Sequence, residues 1–73
     1  MGHIFRALMT NFKERVILEH SELEARMKSL CAFFDTPVFQ DLADVDKRLL
    51  AQQYAHMEDY KWVLSKRIER FAP

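Results

Sequence analysis

The chain of 73 residues has one glycine, two prolines and one cysteine. With only Gly2, no glycine-rich phosphate loop can be built. With only Cys31, no internal disulfide is possible, and a single thiol fits a reducing interior; Cys31 reads as a small packing residue. His3, His20 and His56 are dispersed and there is no second cysteine, so neither a structural zinc site nor any other metal or cofactor site is expected. No apolar run approaches the ~20 residues that span a bilayer. The first ten residues lack a basic head before a long apolar core, so no signal peptide is read there. These readings predict a cytoplasmic protein. Eleven Lys plus Arg against eleven Asp plus Glu leave no net charge, which argues against a duplex nucleic-acid binder needing a basic surface.

What is present is helix-forming sequence. From Leu49 to Ile68 the spacing is helical, with two stripes side by side. Leu50, Tyr54, Met57, Lys61, Leu64 and Ile68 alternate at four and three residues, the seam offered to one neighbouring helix. Leu49, Gln53, His56, Tyr60, Val63 and Arg67 form the second stripe. Trp62 lies off both, either a lone exposed aromatic or a contact residue. Upstream, Phe12, Val16, Leu23, Met27, Leu30 and Phe34 make a matching seam, with His20 at its edge. Its opposite face, Leu18, Ser21, Ala25, Ser29 and Ala32, is mostly small, as a close helix–helix approach between subunits requires; tolerated surface Ala and Ser are the plainer reading. Asn11 with Glu14 resembles a capping box. Asp35-Thr36-Pro37 breaks the helix, because residues before proline avoid the α region. Thr36 can cap a short helix with Pro37 at its first position, and Asp44 is expected to cap the next long one.

The predicted fold is all-α: a single domain over residues 1–73, an antiparallel helical hairpin with a short connecting helix. Residues 1–9 are a lead-in, 10–34 a helix, 36–42 the short helix and 44–71 the second long helix. A chain this short buries too little surface to be stable alone. With disulfide and metal excluded, self-association into a homo-oligomeric helical bundle, dimer or tetramer, is expected. In the hairpin, residues 1–19 (Arg6, Lys13 and Arg15 against Glu14 and Glu19, net +1) lie beside residues 66–73 (Lys66, Arg67 and Arg70 against Glu69, net +2). The turn carries Asp35, Asp41, Asp44 and Asp46, net −4 over residues 35–46. The molecule is neutral but polar end to end, and an anionic ligand prefers the open end. Helix-dipole preferences alone also produce such a layout.

No catalytic constellation is present: Glu19-His20 and His56-Met57-Glu58 have the wrong spacing for a di-metal bundle, and no nucleophile–base arrangement is supported. An enzyme is not expected. The pattern Phe12-Lys-Glu-Arg15-Val, Glu22-Leu23, Leu30, Phe33, Phe39-Gln-Asp-Leu42, Leu49-Leu50, Gln53, Met57, Tyr60, Leu64, Arg67-Ile68 resembles a widespread group of small phage-encoded helical-hairpin proteins, over roughly residues 12–70. Some short helical phage proteins, the anti-CBASS sponges, oligomerise and sequester cyclic-nucleotide signals. The resemblance implies that role in the host cytoplasm, with a cyclic nucleotide as partner and no catalysis. Under it, Tyr60 supplies a stacking ring, Arg15 and Arg67 clamp phosphate, and Gln53 meets a base edge. The alternatives are a protein-binding inhibitor or adaptor aimed at a host defence protein, and a structural oligomerisation module in which Tyr60 packs, Gln53 bridges helices and the arginines pair with Glu14, Glu19 or Glu69.

Overall fold

The computed structural model describes the backbone of residues 2–71 and the side chains of residues 12–71. It is all-helical. In chain order the elements are α1 (Gly2–Phe33), α2 (Pro37–Gln40) and α3 (Asp44–Glu69), with α1 and α3 packed together.

The pairing follows the two predicted seams. Val16, Leu23 and Met27 of α1 and Leu64 of α3 form the buried core, and Tyr54, Met57, Ile68 and Phe71 pack against it. Leu64 is the most enclosed, at 0% exposure. Aromatic pairs clasp the hairpin at both ends. At the turn, the Phe39 ring stands edge-on to Phe34 at 5.0 Å and to Phe33 at 5.9 Å, and Phe34 meets Tyr54 at 5.9 Å. At the open end Phe12 meets Phe71 at 5.5 Å, with the Lys13 ammonium 5.7 Å from the Phe71 centroid. Edge-to-face pairs of this kind add about 0.5–1.5 kcal/mol each to their area burial.

Two local features differ from the sequence expectations. The helix begins at Gly2, not at residues 10–11, so Asn11 is an interior position and cannot serve as a cap; the side chains of the lead-in lie outside the described residues. A cap motif is only a local preference, and a helix continues through it where the following residues also favour helix. The residue before α3 is Ala43, extended at φ −61° and ψ 149°, with no side-chain cap. Asp44 is therefore the first helical residue. It acts with Asp46 by placing negative charge in the first turn, where the helix dipole favours it. Along α1, Glu24 reaches Lys28 at 3.9 Å, whereas Glu22 and Arg26 make no ion pair among the described residues.

The turn is built by Thr36 and Pro37. Thr36 Oγ1 accepts from the Phe39 N–H at 3.2 Å and donates to the Phe33 carbonyl at 2.7 Å, tying α2 to the last turn of α1. Pro37 sits at the first helical position, where its missing N–H costs nothing. Thr36→Ala should lower stability by about 1 kcal/mol, measured by urea titration of the circular dichroism signal. A change of under a few tenths would mean that Phe39 packing alone sets the turn.

The hairpin is elongated, 54 × 26 × 17 Å, with a radius of gyration of 17.0 Å. A compact chain of this length would have a radius of about 11 Å. The solvent-accessible surface is 6093 Å², against about 4,700 Å² for a compact monomer of 8.7 kDa. The surplus is apolar in part. Ile17, Leu18, Val38, Val45, Leu49, Trp62 and Val63 are all exposed. Near the turn, Val45, Leu49 and Ala55 share a shallow groove with Arg48 and Gln52.

Candidate functional site

α3 has one edge on each side of its buried seam. The second sequence stripe, with Tyr60 and Arg67, forms one edge and is wholly exposed. Ser65 and Lys61 mark the other, by their contacts with α1. There His20 Nε2 lies 2.9 Å from Ser65 Oγ, and the Glu24 carboxylate draws in His20 Nδ1 and the Lys61 ammonium, each at 4.0 Å. These partly exposed pairs fix side-chain orientation more than they stabilise the fold, because solvent screens them to about 0–1 kcal/mol each.

On the Tyr60 edge, Arg15 of α1 and Arg67 of α3 line one cleft of about 220 Å³ with Phe12, Val16 and Glu19. The antiparallel pairing brings the two arginines together across 52 residues of sequence. The Tyr60 hydroxyl donates to the Glu19 carboxylate, which places Tyr60 beside the cleft. Neither guanidinium forms an ion pair among the described residues. Lys66, one position before Arg67, is turned away, 3.4 Å from Glu69 and over the Trp62 ring. The cleft thus presents two guanidiniums without an ion-pair partner among the described residues, an apolar floor of Phe12 and Val16, and one carboxylate already accepting a hydrogen bond.

Gln53 is not brought into this group. It lies on the same exposed stripe two turns before Tyr60, about 10 Å along the helix, and lines neither this cleft nor the groove near the turn. Phe12, Val16 and Glu19 belong to the cleft and were not among the residues singled out as a site in the sequence. Phe12 and Val16 read there as seam residues, and nothing short of pairing the helices says that the seam opens at this end. Glu19 carried a signal as a pairing partner for arginine; the structure pairs it with Tyr60.

Among the described residues no three His, Cys, Asp or Glu side chains gather as a metal site would require, and no helix is long and apolar enough to cross a membrane. The fold and the cleft together define a small all-helical hairpin with an arginine-lined edge and exposed apolar surface. The chain belongs to the Sequestin family, whose model matches residues 10–70. It is similar to an uncharacterised 7.5 kDa protein from the denB-rIIB intergenic region of Enterobacteria phage T4, 30% identical over 63 residues that cover 86% of this chain and 98% of that protein. No solved structure matches it.

Proposed function

We propose that this chain is a phage-type immune-evasion protein that sequesters a cyclic nucleotide signal without catalysis, and that it does so as a homo-oligomer. The observation that carries the reading is the meeting of Arg15 and Arg67, from opposite ends of the sequence, in one cleft, with no acidic ion-pair partner among the described residues. Guanidinium offers a planar pair of donors that matches phosphate oxygens. Tyr60 beside the cleft gives a ring on which a base can stack, and base stacking tolerates any sequence. A family named for sequestration and a relative encoded by a phage support holding over converting.

One copy supplies half of what such a ligand needs. A cleft of about 220 Å³ is below the ~300–1,000 Å³ of ordinary small-molecule sites, and a cyclic dinucleotide carries two phosphates and two bases. A second copy facing the first doubles the arginines and rings and covers exposed apolar surface. Gln53, outside the single-chain cleft, reaches a ligand only in such an arrangement.

The test is binding and recovery. Calorimetry with a set of cyclic dinucleotides should show saturable binding by at least one, and boiling the complex should return that nucleotide chemically unchanged. Failure of every cyclic nucleotide to bind ends the sponge reading and leaves the protein-binding alternative, in which a host defence protein is captured instead. Recovery of a linear product would make the chain an enzyme.

Assembly has its own check. Light scattering at micromolar concentration should give a mass of two or more copies. Ala25→Glu, which puts a charge on the small-residue face of α1, should shift the population towards the 8.7 kDa monomer. A monomeric wild type refutes the assembly.

A further inference from the structure

The edge of the hairpin opposite the Arg15–Arg67 cleft holds a larger concavity, of about 340 Å³, lined by Met27 of α1 and by Tyr54, Glu58, Lys61, Trp62 and Ser65 of α3. Trp62 is the one tryptophan of the chain, and it is 62% exposed. The Lys66 ammonium lies 5.6 Å from its ring centroid, but Lys66 does not line the concavity, so the ring still borders open space. Glu58 stands one helical turn before Trp62 on the same face, about 6 Å along the axis. Among the described residues its carboxylate takes part in no ion pair and accepts no hydrogen bond, whereas Glu24 and Glu69 nearby are engaged by Lys61 and Lys66.

An exposed indole plane with an uncommitted carboxylate a turn away suits a flat ring that donates two parallel N–H bonds. An ionised carboxylate only accepts, and can do so with both oxygens at once. Of the four RNA bases, guanine alone presents two adjacent donors, N1–H and the N2 amino group. Adenine and cytosine set an acceptor beside their amino group, and uracil flanks its one N–H with two carbonyls. Each of those acceptors would face the carboxylate with lone pairs opposed.

We propose that this concavity is a guanine-base site, with Trp62 stacking on the ring, Glu58 accepting from N1–H and N2–H, and Lys61 or Lys66 drawing in the phosphate of a guanine nucleotide. Tyr54 forms the far wall. Partial burial, followed by the nearness of Cys31 and Glu58, holds its phenol above the usual range, so it stays a neutral donor at physiological pH. The site stands on the other edge from Arg15 and Arg67 and does not depend on the cyclic-nucleotide reading.

The lone tryptophan makes the test direct, since its emission reports on the proposed platform alone. Titrating the full chain with GMP should quench Trp62 fluorescence to saturation, and AMP should need at least tenfold more nucleotide for half the effect. Glu58→Gln, which replaces one acceptor with a donor, should weaken GMP at least tenfold and abolish the preference over AMP while helix content is kept. Arg67→Ala should leave the GMP curve unchanged, which separates this site from the Arg15–Arg67 cleft. The proposal is overturned by the absence of saturable quenching, by equal response to GMP and AMP, by an unaltered Glu58→Gln curve, or by loss of the signal in Arg67→Ala.

Discussion

Leu64→Ala should lower the melting temperature of the protein by roughly 10–25 °C at fixed chain concentration. The size follows from how little else is buried. Leu64 is fully enclosed by Val16, Leu23 and Met27 and their neighbours, and among the described residues these four side chains form the buried core. Truncating a buried leucine removes its transfer energy and leaves a cavity, at a cost of about 2–5 kcal/mol. A chain of 73 residues has about 4–11 kcal/mol of total stability to lose. Each kcal/mol moves the midpoint of so small a domain by about 4–8 °C. Val63→Ala, one position along and nearly half exposed, is the internal comparison. Within a lone hairpin it should cost under about 1 kcal/mol, because little of the side chain leaves water. A shift as large as that of Leu64→Ala would place the Val63 stripe inside an interface. A Leu64→Ala shift of under 3 °C, followed by circular dichroism, would mean that the α1–α3 seam is not what holds the molecule together.

The second large effect concerns the cleft. Removing both guanidiniums, as Arg15→Ala with Arg67→Ala, should weaken cyclic-nucleotide binding by about 10²–10⁴-fold, since each charge-assisted hydrogen-bonding partner contributes about 1.5–3 kcal/mol. The fold should tolerate the change, because both side chains are exposed and neither is in an ion pair among the described residues. Helix content and oligomer mass should therefore stay as in the wild type. Arg→Lys at each position keeps the charge but not the planar fork, and should recover only part of the affinity. If the double alanine variant binds as before, the arginines are solvated surface and the cleft is not the site. If it loses affinity only by falling apart into monomers, they belong to the seam between copies.

The seams were legible because burial imposes a period on the sequence. Val16, Leu23, Met27 and Leu64 are buried and Leu30, Phe34, Tyr54, Met57 and Ile68 partly so, as helical spacing predicts. Phe12 stays exposed because α3 ends at Glu69, and Phe71 beyond it meets Phe12 edge-on. Helix ends were less legible. They depend on a few local dihedrals, and the backbone ran through Asn11 and began α3 one residue before the expected start of its first turn, with Ala43 in the cap position. The convergence of Arg15 and Arg67 could be read from the antiparallel pairing, because it needs only residue order along two helices. The Glu58–Trp62 concavity could not. Trp62 stood out as an isolated aromatic, but its partnership with Tyr54, Ser65 and Met27 depends on how α1 sits against that edge of α3. The exclusion of Gln53 has the same origin: one stripe shares a face, yet a cleft occupies only two turns of it.

The connection between the long helices has a kinetic consequence. Only ten residues separate Phe33 from Asp44, and four of them already form a capped turn. Closing a loop of that length takes about 10–100 ns and forming helices about 0.1–1 μs. Helical proteins dominated by such near-neighbour pairings reach their native state in microseconds to milliseconds. A newly made chain is thus a finished hairpin almost as soon as it leaves the ribosome. Any delay before it acts is set by diffusion to whatever it must meet, and so shortens in proportion as its concentration rises.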